Sequence, residues 1–394
     1  MSYESHQPHY ASVFLDVKKL EPLNAEPDVA ALIEFPHTPD ELTYCRNHGP
    51  ITVLDEETFT IKIDGEVRNE LKFTLDELRR SFPHASIVAA MQCAGNRRST
   101  MSHKKGRDTE GIPWGEGVIS NLRWTGVRMC DVLLAAGLTQ DVQQSPDGMH
   151  VCFCSHVAPC EDAAFFGGSI PLAKALDRDG DVLIAYEMNG HPLSPAHGFP
   201  FRIVVPGYSG ERWVKWVDHI TVSRHESANY YQQKDYKVLP SSVTTHAQAD
   251  SESWWTKVPP LEANTLNSVI ATARIIPPGS PPESPTPPAS VTIAAKGYAL
   301  GGAAARIARV ALSADRGASW VRAHITYQEG RWSWALWEAI VVARVPQPPP
   351  PGTRVVLWCR ATDEDGVSQV YGEESEWNLR GVAYSAVGEY EIEL

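Results

Sequence analysis

The stretch Ile276-Pro-Pro-Gly-Ser-Pro-Pro-Glu-Ser-Pro-Thr-Pro-Pro288 divides this chain. Proline lacks an amide hydrogen and fixes φ, so such a segment is stiff, extended and unable to join a central sheet. Composition changes over 259–288, and 394 residues exceed one ordinary core. Two domains are therefore predicted, over 41–258 and 259–394. The first mixes strands and helices without βαβ regularity or a Gly-x-Gly-x-x-Gly fingerprint, which makes it α+β and not a dinucleotide-binding fold. The second is strand-like throughout. Val291–Tyr298, Arg309–Ala314, Trp320–Ile325, Trp332–Trp337 and Val355–Thr362 are separated by turn residues such as Asp315-Arg-Gly317 and Asp365-Gly366, the pattern of a β-sandwich. Residues 1–40 are polar and contain several prolines, which predicts an extended N-terminal arm with a short helix at Val29–Glu34. A second proline run, Pro346–Pro351, belongs in a loop.

Acidic residues outnumber basic ones by 48 to 35, a net charge of −13, which argues against nucleic acid or an anionic membrane as partner. An anionic substrate would need a local basic pocket. No apolar run approaches the roughly 18 residues of a membrane span. Residues 1–18 lack an apolar segment behind a basic start, Glu4 and Asp16 argue against a transit peptide, and the C-terminus differs from Ser-Lys-Leu. A cytoplasmic protein is the expectation, with the peroxisome or the mitochondrial intermembrane space as alternatives. Seven cysteines, an odd number without regular spacing, fit reduced thiols.

Phe59–Val67 alternates with period two around Asp64-Gly65, as a hairpin does. Thr74-Leu-Asp-Glu77 is a capping box, and Asp131–Gly137 reads as a helix closed by glycine. An apolar run from Ile87 stops at Cys93, where Gly95 and Asn96 permit a turn. Arg97 and Arg98 follow, and cations beside the sulfur favour thiolate over thiol. Such a cysteine serves as a nucleophile, a redox thiol or a soft metal ligand, or is simply buried. His150-Val-Cys-Phe-Cys-Ser-His156 places two cysteines and two histidines on one strand face, with Cys160 nearby. That composition resembles a zinc site, but ligands two apart on a flat strand cannot close a tetrahedron without several residues from elsewhere. Packing is the stronger reading.

Gln92-Cys93-Ala94-Gly95-Asn96-Arg97-Arg98 resembles the molybdenum-ligand loop of the sulfite oxidase family. Arg46-Asn47-His48-Gly49-Pro50, Tyr186-Glu187-Met188-Asn189-Gly190, His197-Gly198-Phe199-Pro200 with Arg202, Val214-Lys215-Trp216, Lys234-Asp235-Tyr236-Lys237 and Trp377-Asn378-Leu379-Arg380-Gly381 resemble its other segments, in the same order. The resemblance implies a mixed α+β molybdopterin domain followed by an immunoglobulin-like domain that forms a homodimer. It implies oxidation of sulfite to sulfate by oxygen-atom transfer at a molybdenum pyranopterin dithiolene ligated by Cys93. Arg46, Arg98 and Arg380 would bind the oxyanion, with Trp114 and Tyr236 lining the pocket. His48, His197, Arg202, Lys215 and Arg212 would bind the cofactor. The interval before Trp114 is two residues longer than the family's, and the tail after Val382 lacks its Trp-His-Arg ending. Without a His-Pro-Gly-Gly segment, no haem is expected within this chain. The arrangement resembles the haem-free plant type, with oxygen or a separate cytochrome as electron acceptor. Two rivals stand beside this reading. One is a nitrate reductase-like molybdenum domain, which Arg380 disfavours because those enzymes resemble Trp-Asn-Leu-Met there. The other is a non-catalytic cofactor carrier.

Overall fold

A computed structural model describes residues 12–144, 146–277, 290–303, 306–346 and 348–394. Residues 1–11 of the expected arm, most of the Ile276–Pro288 run and Gln347 lie outside the described residues.

The chain forms two compact units. One comprises the chain through Asp28, His37–Glu262 and Trp377–Ala383; the other comprises Val29–Pro36, Ala263–Glu376 and Tyr384–Leu394. The boundary therefore differs from a single cut at 258/259, and Arg380 belongs to the first unit. The reason is local: Ala383 N–H donates to Ala94 O at 2.9 Å and Glu110 N–H to Leu379 O at 2.8 Å. These bonds tie Trp377–Ala383 to the loop that carries Cys93. Residues 12–40 also depart from an extended arm. Leu15–Lys19 and Asn24–Pro27 pair as an antiparallel hairpin, because Leu15, Leu23 and Ala25 bury against Cys45, Ile51, Ala196 and Trp216. The short helix forms at Val29–Leu32.

In the first unit, one sheet runs His191–Pro192, Leu183–Met188, Ile119–Arg128, His84–Gln92, with Arg202–Val204 also on Leu183–Met188. A second runs Leu71–Phe73, Ile61–Gly65, His219–Ser223, His150–Ser155, Phe166–Pro171. The hairpin turn expected at Asp64-Gly65 lies instead between Gly65 and Leu71. Gly65 stays in its strand because His219–Ser223 pairs parallel to it, and a Cβ there would meet Val222 O at 2.2 Å. The Thr74–Glu77 capping box starts helix Leu75–Ser81. Met129–Ala136 is helical and closed by Gly137.

The second unit stacks two four-stranded antiparallel sheets. Their orders are Asn267–Ile276, Ser290–Leu300, Ala335–Arg344, His324–Gln328 and Val321–Arg322, Ile307–Ser313, Arg354–Asp363, Gly388–Glu393. Ala335–Arg344 and Arg354–Asp363 alternate buried and outward residues, so Ile293, Val310, Leu312, Leu357 and Trp337 fill one apolar core. The divergent tail supplies an edge strand, Gly388–Glu393, paired to Arg354–Cys359. No helix among the described residues is long and apolar enough to cross a membrane.

Candidate active site

Strand His84–Gln92 is half-exposed at its start and buried from Val88 onward, so it delivers Cys93 into the interior. Cys93 N–H donates to Val118 O at 3.0 Å, and Asn96 N–H returns to Cys93 O at 3.0 Å. The left-handed residue of the turn is Arg97, φ +67°, not Gly95 or Asn96. Gly95 is required for space: a Cβ there would meet Arg98 Nη2 at 2.8 Å and Trp114 Cδ1 at 3.0 Å.

Cys93 lines a cleft that Arg46, His48, His197, Arg202, Lys215 and Tyr236 also line, together with Tyr44, Asn47, Met91, Cys160, Glu211 and Trp213. Seven of the eleven expected site residues thus meet in one cavity. Four do not line it. Arg98 is buried, donating to Arg380 O (3.0 Å) and Ile112 O (2.8 Å), and its guanidinium feels Cys93, Arg380, Arg46 and Tyr236. Arg380 is held by Asp235 and by Glu110. Trp114 is fully buried beside Gly95, a packing position behind the cysteine loop. Arg212 is turned away from the cleft, donating to Leu261 O from Nε (3.0 Å) and Nη2 (2.6 Å) and to Gln232. The Leu261 carbonyl and Gln232 hold the guanidinium in this orientation.

The thiolate expected from the arginine pair does not follow from the geometry. Burial pushes the Cys93 thiol up, and Arg46 and Arg98 oppose that only in part. The Arg97 guanidinium is buried against Glu116 instead (3.4 Å). A cation that stabilises the anionic sulfur more directly, such as a coordinated metal ion, would reverse the balance.

Arg46 Nη2 lies 3.1 Å from His48 Nδ1, and His48 Nε2 lies 2.7 Å from Tyr236 Oη. Arginine only donates, so Nδ1 accepts and Nε2 carries the proton it gives to Tyr236. The phenol's own hydrogen is left free to point into the cleft. Burial, reinforced by Arg46, holds His48 well below the usual imidazole range, and burial lifts Tyr236 well above the usual phenol range. Both are neutral near pH 7. His48 is thus spent between Arg46 and Tyr236.

Across the cleft, Arg202 donates to His197 O (3.0 Å) and Trp213 O (3.3 Å) and stacks on Trp124. Lys215 Nζ donates to Ala196 O (2.8 Å) and to Asn47, and Ser194 Oγ meets His197 Nδ1 at 2.7 Å. Burial, with mutual repulsion added, pushes Lys215 down to about 7 and His197 to about 3; burial alone takes Arg202 to about 10. Arg202 Nε lacks a hydrogen-bond partner, and the buried Glu211 pairs with Arg212, Oε1 to Nε at 3.9 Å. A buried thiol and a crowded cationic wall form a donor set that fits a metal carried by an anionic cofactor. The molybdenum pyranopterin expected from the sequence has those properties. Cys45 packs beside this wall, Sγ 3.8 Å from His197 Nε2, with burial pushing its thiol up to about 11.

His150, Cys152 and Cys154 share the less buried face of their strand, as expected. Among the described residues no cluster of three or more His, Cys, Asp or Glu could hold a metal ion, and Cys160 faces the cleft instead. Sequence reasoning missed Glu211, Asp235, Glu110 and His246. Asp235 stood inside a recognised segment, while nothing in the sequence joins Glu110 to Arg380, 270 positions apart.

Residues 48–231 match the oxidoreductase molybdopterin binding domain, and residues 266–390 match the Mo-co oxidoreductase dimerisation domain. Sulfite oxidase of Gallus gallus is 38% identical over 376 residues, spanning 94% of this chain and 76% of that protein. Sulfite oxidase of Arabidopsis thaliana is 36% identical over 398 residues, 96% of this chain and 93% of that protein. Among solved structures, the sulfane dehydrogenase SoxCD of Paracoccus pantotrophus shares the fold with a TM-score of 0.72 at 23% identity, covering 100% of this chain and 87% of that one. With a thiol at the floor of a cation-walled cleft in its molybdopterin-binding unit, this chain belongs to the sulfite oxidase family of molybdenum oxidoreductases.

Proposed function

We propose that the protein oxidises sulfite to sulfate and passes the electrons to oxygen or a separate cytochrome, as a cytoplasmic homodimer assembled through its second unit. The observation that carries this reading is that Cys93 and Arg46 line one cleft, with Arg98 five residues beyond the cysteine in the same loop and bonded to the Arg380 carbonyl at 3.0 Å. In this reading Cys93 ligates molybdenum, while Lys215, Arg202 and His197 bind the cofactor's anionic end. When bound, the cofactor supplies the two-electron centre for oxygen-atom transfer to sulfite.

The chain's own residues bind and orient. Arginine forks match the oxygens of sulfite and sulfate better than an ammonium does, and a dianion left unpaired in a buried site would be prohibitively costly. Arg46 is fixed by Asn47 O (2.6 Å) and Asn24 (3.2 Å), so little ordering remains to be done on binding. Tyr236 Oη, accepting from His48, presents its proton to a sulfite oxygen or to water in the cleft. No protein nucleophile is required.

The test is sulfite-dependent ferricyanide reduction by molybdenum-loaded protein, with Cys93→Ser alongside. Turnover in the wild type and near-absence in the variant is the expected result. A wild type that binds molybdenum yet leaves ferricyanide unreduced would sink the reading.

A further inference from the structure

Arg380 is pinned by two carboxylates of different character. Asp235 is buried, its side chain 6% exposed, and holds Arg380 Nη2 through Oδ1 and Arg380 Nε through its backbone carbonyl at 3.3 Å. Glu110 is 40% exposed and meets Arg380 Nη1 through Oε2 at 3.1 Å. The same Oε2 lies 2.6 Å from His246 Nε2, which also stands 3.5 Å from Arg380 Nη1. The much shorter contact, to a carboxylate that only accepts, makes Nε2 the donor to Glu110. One carboxylate oxygen is therefore shared between the arginine and the histidine. His246 is itself steadied by its ring on Trp255, 5.2 Å between centroids. The backbone around Glu110 is fixed too: its N–H donates to Leu379 O, and Arg107 stacks on Trp377 at 3.7 Å.

We propose that Glu110 is a displaceable counter-ion of Arg380, held at half strength by His246, and that it sets how tightly the site retains a sulfur oxyanion. This rests on the reading of Arg380 as an oxyanion ligand. A partly exposed ion pair contributes only about 0–1 kcal/mol, so an incoming oxyanion oxygen exchanges with Glu110 at Nη1 at little cost. Asp235, buried and contacting two guanidinium nitrogens, stays in place and keeps the fork aimed. The carboxylate that leaves on binding returns to expel the product. Glu110 and His246 are positioning residues and touch neither sulfur nor metal.

The two residues act with opposite signs, which a merely structural role would not produce. In holoenzyme, Glu110→Gln keeps the shape and removes the competing charge, so KM for sulfite and the inhibition constant for sulfate both fall, by about two- to five-fold. His246→Phe keeps the stack on Trp255 and releases Glu110 wholly to Arg380, so both constants rise. Calorimetric titration of sulfate into oxidised holoenzyme gives the same ordering without turnover, and Glu110→Ala repeats the first result should the glutamine variant fold poorly. Sulfate affinity unchanged or weakened in both Glu110 variants, in an enzyme that still turns over sulfite, overturns the counter-ion role alone. Absence of sulfite turnover in the wild type instead overturns the reading beneath it.

Discussion

The core of the sandwich is dominated by apolar side chains, among them Ile293, Val310, Leu312, Trp337 and Leu357, with neutral polar groups such as Ser268 and Gln369 bonded to each other, whereas the unit around Cys93 buries Arg97, Arg98, Arg202, Arg212 and Glu211. The first kind of interior is complete within the chain, since burying each aliphatic side chain contributes about 1.5–3 kcal/mol without needing a partner. The second kind is incomplete. Its cations repel one another, and an arginine nitrogen stands without a hydrogen-bond partner. A fold can carry such a cost only where a ligand offsets it or where other packing over-determines the geometry. The contrast marks where stability is made and where it is surrendered for binding.

Three experiments bear on that contrast. The largest effect is expected in the cleft on function: Tyr236→Phe removes the proton presented from Oη and should lower sulfite turnover by about 10²- to 10⁴-fold, with molybdenum content per chain unchanged by mass spectrometry. Loss of the metal in that variant would make Tyr236 a cofactor contact instead. Next comes the sandwich. Leu357→Ala opens a void in a fully buried site and should cost about 2–5 kcal/mol in denaturant unfolding. Activity per folded molecule should persist, and its loss would show that the two interiors are not separable.

The smallest effect concerns charge in the apoprotein. Lys215 is pushed down to about 7 from 10.5 in the folded state, so between those values the unfolded chain binds more protons and stability rises with pH. His197, pushed down to about 3 from 6.5, gives the same sign over pH 3 to 6.5: stability falls as acid protonates the unfolded imidazole. The melting temperature of apoprotein should therefore climb through both windows. Lys215→Met should flatten the upper one, and cofactor loading should flatten both, because an anion restores the charged forms. An upper slope unaltered by Lys215→Met would assign it to another group.

The sandwich was legible because short strand-like runs lie between turn residues, and strands formed over Ser290–Leu300, Ile307–Ser313 and Arg354–Asp363, where three of those runs lie, whereas the run Trp332–Trp337 only opens the strand Ala335–Arg344. The strand into Cys93, the Thr74 cap and the glycine-closed helix were legible for similar local reasons. The Leu15–Pro27 hairpin was not, since its burial depends on Cys45 and Trp216 far along the chain. Arg212 stands beside the matching segments as an expected cofactor donor, and the carbonyl it bonds comes from Leu261, 49 positions away.

By itself the sequence determined the order of chemical parts: a cysteine ending an apolar strand, the seven segments that mark the family, and strand-like runs between turn residues that make a second domain. Tertiary structure alone decided which unit owns Arg380, that burial outweighs two arginines at the Cys93 sulfur, that His48 serves Tyr236, and that Glu110 opposes Arg380. The physical reason is common to all four. Local pattern follows from backbone geometry and side-chain periodicity within a few residues, whereas pKa, hydrogen-bond partner and counter-ion depend on groups brought together from distant positions, in a medium whose dielectric the fold itself sets.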